Sequence, residues 1–182
     1  MRTVNDIINE VLEVEGEQYT DDPADSGGPT KWGWTEKALR EMGWMGEVRD
    51  LDRETAFNLY YRRFIVKSGY QGILTVCPRV AAELVDTAVN MGESHAGRFL
   101  QMALNALNDG EKHYPDIAED GVVGRTTQKT LEKYLDARGY GGEVVLLRAL
   151  NCLQGARYIE LSIKYPKNER FAYGWLLNRV IV

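Results

Sequence analysis

Apolar residues recur at the spacing of one helical face along most of the 182-residue chain. The first such segment contains Val4, Ile7, Ile8, Val11 and Leu12. Steps of three and four residues place these side chains on one side of an α-helix that ends between residues 14 and 16. The same periodicity predicts further helices at about residues 36–42, 53–64, 78–91, 95–107, 126–137, 142–164 and 169–179. Since no alternating pattern of any length competes, we predict an all-α, lysozyme-like helical fold with little or no β-structure.

Polar residues precede several of these segments where helix N-caps are expected. Thr3 and Thr35 precede two of the helices, Asp50 or Asp52 precedes the helix from residue 53, and Ser94 precedes the helix from residue 95. A side-chain oxygen at the N-cap accepts a hydrogen bond from a free backbone N–H in the first turn. The caps therefore support the predicted helix starts.

Composition gives no sharp domain boundary. Residues 1–92 contain one irregular segment and the helices that support it, and residues 93–182 form a second helical region. No Pro/Ser-rich linker separates them, so we predict two packed helical lobes with a boundary after residue 92.

Charge and metal-ligand spacing exclude several classes of protein. The net charge of −5 and the pI near 5.2 argue against a general nucleic-acid binder, because such binding depends on neutralising phosphates. A calcium loop starting at Asp21 fails, since its third position is Pro23 and its twelfth is Trp32. The two cysteines, Cys77 and Cys152, have apolar neighbours, so we interpret them as buried thiols, with a disulfide as the alternative. We expect no metal and no cofactor.

The N-terminal sequence has no uninterrupted apolar region of the kind found in signal peptides, and no later segment is long enough to span a membrane. We therefore expect a protein that has no signal peptide and does not insert into membranes. We also expect a monomer.

Residues 15–35, EGEQYTDDPADSGGPTKWGWT, are unlike the rest of the chain. The segment contains the carboxylates Glu15, Glu17, Asp21, Asp22 and Asp25. A turn-forming Ser-Gly-Gly-Pro and a Trp-Gly-Trp follow them. Neither a core helix nor a strand requires this composition, whereas carboxylates beside aromatic rings suit a site that binds sugar and cleaves a glycosidic bond.

Glycosidic cleavage requires a carboxylic acid that is protonated when the bond breaks. Glu15 follows apolar Val14 at the carbonyl end of the first helix, where partial negative charge disfavours ionisation of a nearby carboxyl group. A solvated glutamate at a helix end is the alternative interpretation. Likewise, the aspartates suit ordinary turns, and Trp32 and Trp34 suit either sugar stacking or core packing.

Together these segments resemble glycoside hydrolase family 108, the lysozyme-like muramidases of phage endolysins and bacterial prophages. The matching positions are Glu15, Gly16, Tyr19, Asp22, Pro23, Ala24, Asp25, Gly27, Gly28, Thr30, Lys31, Gly33 and Thr35. The sequence DTAVNMG at residues 86–92 resembles a second motif of the family. The stretches DGVVGRTT and FAYGWLLNR resemble the companion peptidoglycan-binding region.

The resemblance implies an N-acetylmuramidase that cleaves the β-1,4 bond between N-acetylmuramic acid and N-acetylglucosamine. It assigns the catalytic acid to Glu15, although the extra residue in EGEQY leaves Glu17 as an alternative. The candidate residues for substrate binding or support are Tyr19, Asp22, Asp25, Thr30, Trp32, Thr35, Asp86 and Asn90.

Bacterial peptidoglycan is the partner that the resemblance implies. A phage endolysin of this kind would stay in the host cytoplasm until a separate holin released it to the periplasmic wall. A lytic transglycosylase and a non-catalytic wall-binding protein are the alternatives. We also expect basic residues to gather on the second lobe to contact an anionic wall, namely Arg148, Arg157, Lys164, Lys167, Arg170 and Arg179.

Overall fold

A computed structural model describes residues 3–21 and 28–180 of the chain. The helices in this part are α1 (Val4–Glu15), α2 (Glu36–Glu41), α3 (Arg53–Tyr61), α4 (Tyr70–Val76), α5 (Pro78–Met91), α6 (Glu93–Ala106), α7 (Arg125–Lys164) and α8 (Glu169–Arg179). The strands are β1 (Thr30–Lys31) and β2 (Trp34–Thr35), which pair as an antiparallel hairpin. Short 3₁₀ turns cover Val48–Asp50 and Pro166–Asn168. The predicted all-α class is confirmed.

The chain divides into two compact units, Met1–Lys67 and Ser68–Val182. The first unit contains α1 to α3 and the hairpin, and the second contains α4 to α8. No helix in the described ranges is both long enough and apolar enough to cross a bilayer.

In the first unit, α1 starts and ends as the sequence predicts. Thr3 and Asp6 form a capping box, in which the Thr3 hydroxyl accepts from the Asp6 N–H and the Asp6 carboxylate accepts from the Thr3 N–H. At the other end, Gly16 has φ 72° and terminates the helix directly after Glu15. The predicted apolar face is buried at Val4, Ile7, Ile8 and Leu12, and α1 packs against α3.

The caps of α2 and α3 also agree with the sequence. Thr35 accepts a hydrogen bond from the Ala38 N–H, and Asp52 accepts one from the Thr55 N–H at 2.7 Å. The helix from residue 53 ends earlier than predicted, at Tyr61, and continues as a π-helical turn over Arg62–Lys67.

In the second unit, α5 and α6 meet at Gly92, which has φ 92°. The prediction that Ser94 caps α6 is wrong. The helix begins at Glu93 with Gly92 as its N-cap, and Ser94 instead packs against Gly121, where a methyl group would lie 2.6 Å from its hydroxyl oxygen.

The long helix α7 consists of two helical stretches separated at Gly139, whose φ of 59° and ψ of −153° are not helical. This break agrees with the two helices predicted from the sequence. The hydroxyl of Tyr134 donates to the carbonyl oxygen of Gly142 at 2.8 Å and so ties the two stretches together. Before α7, Gln101 anchors the preceding loop by accepting from the Gly121 N–H at 2.7 Å.

The two cysteines are free thiols in different surroundings. Cys77 is buried, as expected, whereas Cys152 is exposed on α7, so its interpretation as a buried thiol is wrong. Its apolar sequence neighbours belong to other faces of the helix, because successive residues point about 100° apart.

Candidate functional site

Glu15 lies at the junction of α1 and the β1–β2 hairpin. It is the last residue of α1, and its side chain is exposed. The side chain lies directly over Gly33, because a methyl group added to Gly33 would be 2.8 Å from both the Cγ and the carboxyl carbon of Glu15. Only glycine leaves the carboxyl group this position.

The hairpin has a two-residue loop formed by Trp32 and Gly33, with Lys31 paired to Trp34 and Thr30 paired to Thr35. Both loop residues have positive φ, 53° at Trp32 and 72° at Gly33. Positive φ at both positions is the signature of a type I′ turn, which matches the twist of the flanking strands. For a bulky residue such as Trp32 this conformation is strained and needs support from its surroundings.

Tyr60 provides that support from α3. Its hydroxyl donates to the carbonyl oxygen of Trp32 at 3.0 Å, and its oxygen would lie 2.6 Å from a methyl group on Gly33. Burial raises the pKa of Tyr60, and the negative charge of Glu15 raises it further. Tyr60 therefore keeps its proton at neutral pH and remains a donor to the turn that carries Gly33.

The two tryptophans lie in the core of the hairpin region. Trp34 is 1% exposed and Trp32 is 8% exposed. The ring of Trp34 lies 4.8 Å from that of Tyr60, which in turn stacks on Phe64 at 5.9 Å. Trp32 belongs to the turn and Trp34 to β2, so the two do not share an extended strand. Both indoles thus help to hold the backbone beneath Glu15.

Tyr19 comes directly before Thr20, the residue whose backbone pairs with the hairpin. Thr20 pairs with Thr30 through two backbone hydrogen bonds of 2.9 and 2.8 Å, which adds a third short stretch beside β1. The Tyr19 hydroxyl donates to Asp21 at 3.2 Å, and the guanidinium carbon of Arg49 lies 5.7 Å from its ring centroid. These contacts place Tyr19 near the edge of the hairpin.

The two threonine candidates both have structural partners. The Thr30 hydroxyl donates to the carbonyl oxygen of Gly28 at 3.0 Å, and the Thr35 hydroxyl accepts from Ala38 as the cap of α2. Each hydroxyl is therefore oriented by the backbone.

Of the remaining acidic candidates, the structure describes Glu17 but not Asp22 or Asp25. Glu17 is exposed. Asp22 and Asp25 lie outside the described residues. Val14, expected to give Glu15 an apolar neighbour, is 83% exposed and points its side chain into solvent.

Asp86 and Asn90 lie on α5 in the second unit. Asp86 is 2% exposed, and its carboxylate accepts from Arg179 at 2.7 Å and from Gln154 at 3.3 Å. Asn90 is exposed and donates to the Asp86 carbonyl oxygen at 2.7 Å. As expected for a buried carboxylate, Asp86 is hydrogen-bonded, and it joins α5 to α7 and α8.

The sequence did not reveal the support that Tyr60 and Arg179 give. Helical spacing is enough to place Tyr60 on the apolar side of α3, where it is buried, but such spacing says nothing about where its hydroxyl points. Arg179 was expected on a basic surface, whereas its guanidinium binds Asp86.

Comparison with known proteins gives two family matches and ten matching chains among solved structures. The glycosyl hydrolase 108 family matches residues 8–92, and the family described as Predicted Peptidoglycan domain matches residues 95–180. The solved structure of Brucella abortus SagA is similar, with a TM-score of 0.57 and 18% identity over 98% of this chain and 96% of that chain. At this identity the likeness shows the fold alone. The comparison with curated proteins gave no match.

The first match contains Glu15, the whole hairpin, Tyr60 and the α5 residues Asp86 and Asn90. The second contains the loop before α7, all of α7 and α8. Residues 8–92 therefore belong to the glycosyl hydrolase 108 family and residues 95–180 to the peptidoglycan-domain family, which together identify a glycoside hydrolase that acts on peptidoglycan.

Proposed function

We propose that the protein is an N-acetylmuramidase that hydrolyses the β-1,4 bond between N-acetylmuramic acid and N-acetylglucosamine, with Glu15 as the general acid. The placement of Glu15 carries this proposal. Its carboxyl group is exposed, lies at the end of α1 and rests on Gly33 of the hairpin.

In the proposed reaction, Glu15 donates its proton to the glycosidic oxygen as the bond to the anomeric carbon breaks. The acid must approach that oxygen within hydrogen-bond distance. Water supplies the hydroxyl group that the anomeric carbon gains, and the proton that the water loses restores the acid. An exposed carboxyl group on a fixed backbone suits a polymeric substrate, which cannot enter a closed cavity. Glu15 is the last residue of α1 and its side chain packs on the turn that Tyr60 supports, which reduces the freedom lost when substrate binds.

The same geometry favours Glu15 over Glu17 as the acid. Glu15 packs on the glycine of the turn, and Glu17 lies two residues further along in an exposed stretch. We propose supporting roles for Tyr19, Thr30, Thr35 and the buried Trp32 in shaping the hairpin. Substrate roles for Asp22 and Asp25 follow from the motif resemblance alone, and we propose that Asp86 and Asn90 support the fold of α5.

Paired Glu15→Gln and Glu17→Gln variants test the assignment. Glutamine keeps the shape of glutamate but cannot donate the acid proton. We expect Glu15→Gln to lower release of reducing ends from purified peptidoglycan by at least about 100-fold, a typical size for general acid catalysis, and Glu17→Gln to stay within about threefold. Full activity of folded Glu15→Gln would contradict the proposal.

Mass spectrometry of the products identifies the reaction type. Hydrolysis leaves N-acetylmuramic acid with a free reducing end, whereas a lytic transglycosylase leaves a 1,6-anhydro end. A non-catalytic wall binder would pull down with peptidoglycan sacculi and release no fragments. We expect reducing ends only.

We further propose that the protein acts as a phage-type endolysin that stays in the host cytoplasm until a separate holin releases it. This part rests on the resemblance of residues 15–35 to endolysin sequences. Expression with a holin should lyse cells, and expression without one should not. Glu15→Gln with the holin is the control, and lysis by that variant would contradict the proposal.

A further inference from the structure

We propose that the corner between α7 and α8 is a receptor for the free carboxylates of peptidoglycan stem peptides. This α7–α8 corner consists of residues 164–171, with Arg170, Lys167 and Lys164 as its cations. The inference rests on the proposed peptidoglycan substrate and concerns a surface of the second unit, whereas the acid Glu15 belongs to the first unit.

A stack of rings leads from the core of the second unit to this corner. Tyr158 is 2% exposed, and its ring lies 5.0 Å from that of Trp175. Trp175 lies 5.8 Å from Phe171, which is 44% exposed. The guanidinium carbon of Arg170 completes the series, 4.5 Å from the centroid of Phe171.

The stack orients the Arg170 guanidinium before any ligand arrives. A guanidinium held over an aromatic ring is attracted to its π-face, and its N–H groups remain at its edge. Because that edge matches a carboxylate with two parallel hydrogen bonds, Arg170 is preorganised for such a group. Preorganisation reduces the entropy lost on binding.

Two lysines add charge beside Arg170. The Lys164 nitrogen lies 5.4 Å from the centroid of Tyr165, and Lys167 is exposed in the 3₁₀ turn. Asn168 fixes this turn, since its N–H donates to the Tyr165 carbonyl oxygen at 2.8 Å and its side chain donates to that of Leu161 at 3.3 Å. The cations are therefore carried on an ordered backbone.

The charge of the corner is available for an external anion. Among the described residues, no carboxylate oxygen lies within 4.0 Å of the side-chain nitrogens of Lys164, Lys167 or Arg170. Two other cations predicted to gather on this lobe are engaged elsewhere, Arg157 with Glu160 and Arg179 with Asp86.

The neighbouring acids do not cancel this charge. Residues 164–170 contain three cations and the single acid Glu169, in a chain of net charge −5. Glu160, in the turn of α7 before Lys164, is paired with Arg157 at 2.7 Å, and this pair, followed by the smaller effect of Lys164, lowers the pKa of Glu160. The corner is therefore a local cationic site on an acidic protein, which makes it complementary to an anionic polymer.

The exposed rings favour a glycopeptide over a membrane. Tyr165 and Phe171 are 43% and 44% exposed and offer apolar surface to a sugar ring. A helix that lies in a bilayer interface needs an apolar face without charge. Here Lys164 and Arg170 lie over the rings themselves, so charge and aromatic surface occupy the same place.

Sacculus binding by the full chain tests the proposal, measured in the Glu15→Gln background so that the polymer stays intact. The double variant Lys167→Glu/Arg170→Glu should raise Kd by about tenfold or more at about 50 mM salt, where screening is weak. Lys129→Glu/Lys133→Glu, on the first stretch of α7, is the matched control because it changes net charge equally at two exposed lysines. We expect it to change Kd by less than about twofold.

Two further arms identify the ligand. In the first arm, the carboxylates of the sacculi are converted to methylamides. The Glu15→Gln protein should bind these sacculi about as weakly as the double variant binds untreated sacculi. Arg170→Lys should be intermediate, since lysine keeps the charge but lacks the planar fork. Vesicles containing phosphatidylglycerol should bind more weakly than sacculi.

Equal weakening by the control, unchanged binding in the double variant, or preferential binding to vesicles would each overturn the proposal. Circular dichroism and Tm must show that each variant is folded. The two proposals also fail separately. Wild type that releases no reducing ends would refute the proposed N-acetylmuramidase activity, whereas sacculus binding depends on the corner with or without catalysis.

Discussion

The carboxyl carbon of Glu15 and the Cα of Gly33 approach so closely that a methyl group on the glycine would lie 2.8 Å from that carbon. Such a distance is well inside van der Waals contact. The proposed acid and the turn beneath it are thus a single packed unit, although the two residues lie in different elements of the first unit. Changes to the turn are therefore expected to alter catalysis.

Gly33→Ala should abolish most activity. The new methyl group would meet the Glu15 side chain at 2.8 Å and the Tyr60 hydroxyl at 2.6 Å, at a residue with φ 72°. We expect peptidoglycan hydrolysis to fall by about 100-fold, as displacement of a catalytic group by about 1 Å does. The free energy of unfolding should fall by more than about 1–2 kcal/mol, which is the usual cost of placing an alanine in the left-handed backbone conformation.

Gly43→Ala is the matched control for backbone strain. Gly43 has φ 82°, and a methyl group there would meet nothing within 4 Å among the described residues. This variant should lose about 1–2 kcal/mol of stability and keep its activity per folded molecule. If Gly33→Ala were no less active than Gly43→Ala, the contact with Glu15 would have no catalytic importance.

Tyr60→Phe removes the hydrogen bond that supports the strained turn. The Trp32 carbonyl oxygen loses its 3.0 Å bond to a buried hydroxyl, which should cost about 1–3 kcal/mol of unfolding free energy. Because the turn positions Glu15, kcat should also fall. Tyr134→Phe removes a similar bond, 2.8 Å to Gly142, in the second unit. It should lose comparable stability with little change in kcat, and equal kcat for the two variants would contradict this prediction.

Asp86→Ala should be one of the most destabilising changes in the second unit. It leaves Arg179 without its carboxylate and removes an acceptor of Gln154. We expect a loss of about 2–4 kcal/mol, below the upper range for buried pairs because the Arg179 side chain is 27% exposed. Glu160→Ala, which breaks the exposed pair with Arg157, should cost at most about 1 kcal/mol. Urea unfolding measures both.

The Asp52 cap of α3 should make stability depend on pH in the acid range. The hydrogen bond from the Thr55 N–H lowers the pKa of Asp52 below its usual value of 3.8. Since the folded-state pKa is lower than the unfolded one, this stabilisation is complete above the unfolded value and is lost as pH falls through the folded value.

Asp52→Asn should therefore flatten part of the stability loss below about pH 4, because asparagine caps a helix without titrating. Unfolding free energies from pH 6 to pH 2.5 provide the comparison. Asp52→Ala should lower stability at neutral pH instead. If the unfolding free energy of Asp52→Asn fell as steeply with decreasing pH as that of the wild type, the titration of the Asp52 cap would not explain the loss of stability in acid.

Helices whose signals are local could be predicted from the sequence. The caps Thr3, Thr35 and Asp52 and the glycine at residue 139 act through the backbone next to them, so their effects follow from the residue type. The helix α4 was missed because Gly69 and Cys77 bound only seven residues between them. A segment this short shows too little periodicity to be recognised.

The candidate site was predictable only in part, for a similar reason. The position of Glu15 at the end of α1 follows from the helix pattern. Its contact with Gly33 and the positive φ of Trp32 depend on Tyr60, which is 28 residues from Trp32 in the chain. In the same way, Arg179 finds Asp86 across 93 residues. Side-chain direction at such separations is determined by tertiary packing, which periodicity does not encode.

The contrast between the two thiols makes the second unit accessible to site-specific chemistry. Cys152 is exposed on α7, whereas Cys77 is buried, and burial raises the pKa of the Cys77 thiol. Thiolate is the reactive form, so access and ionisation both slow the reaction of Cys77 with a maleimide. A fluorophore can therefore be attached to Cys152 of the unmutated chain, where it would report on events along α7.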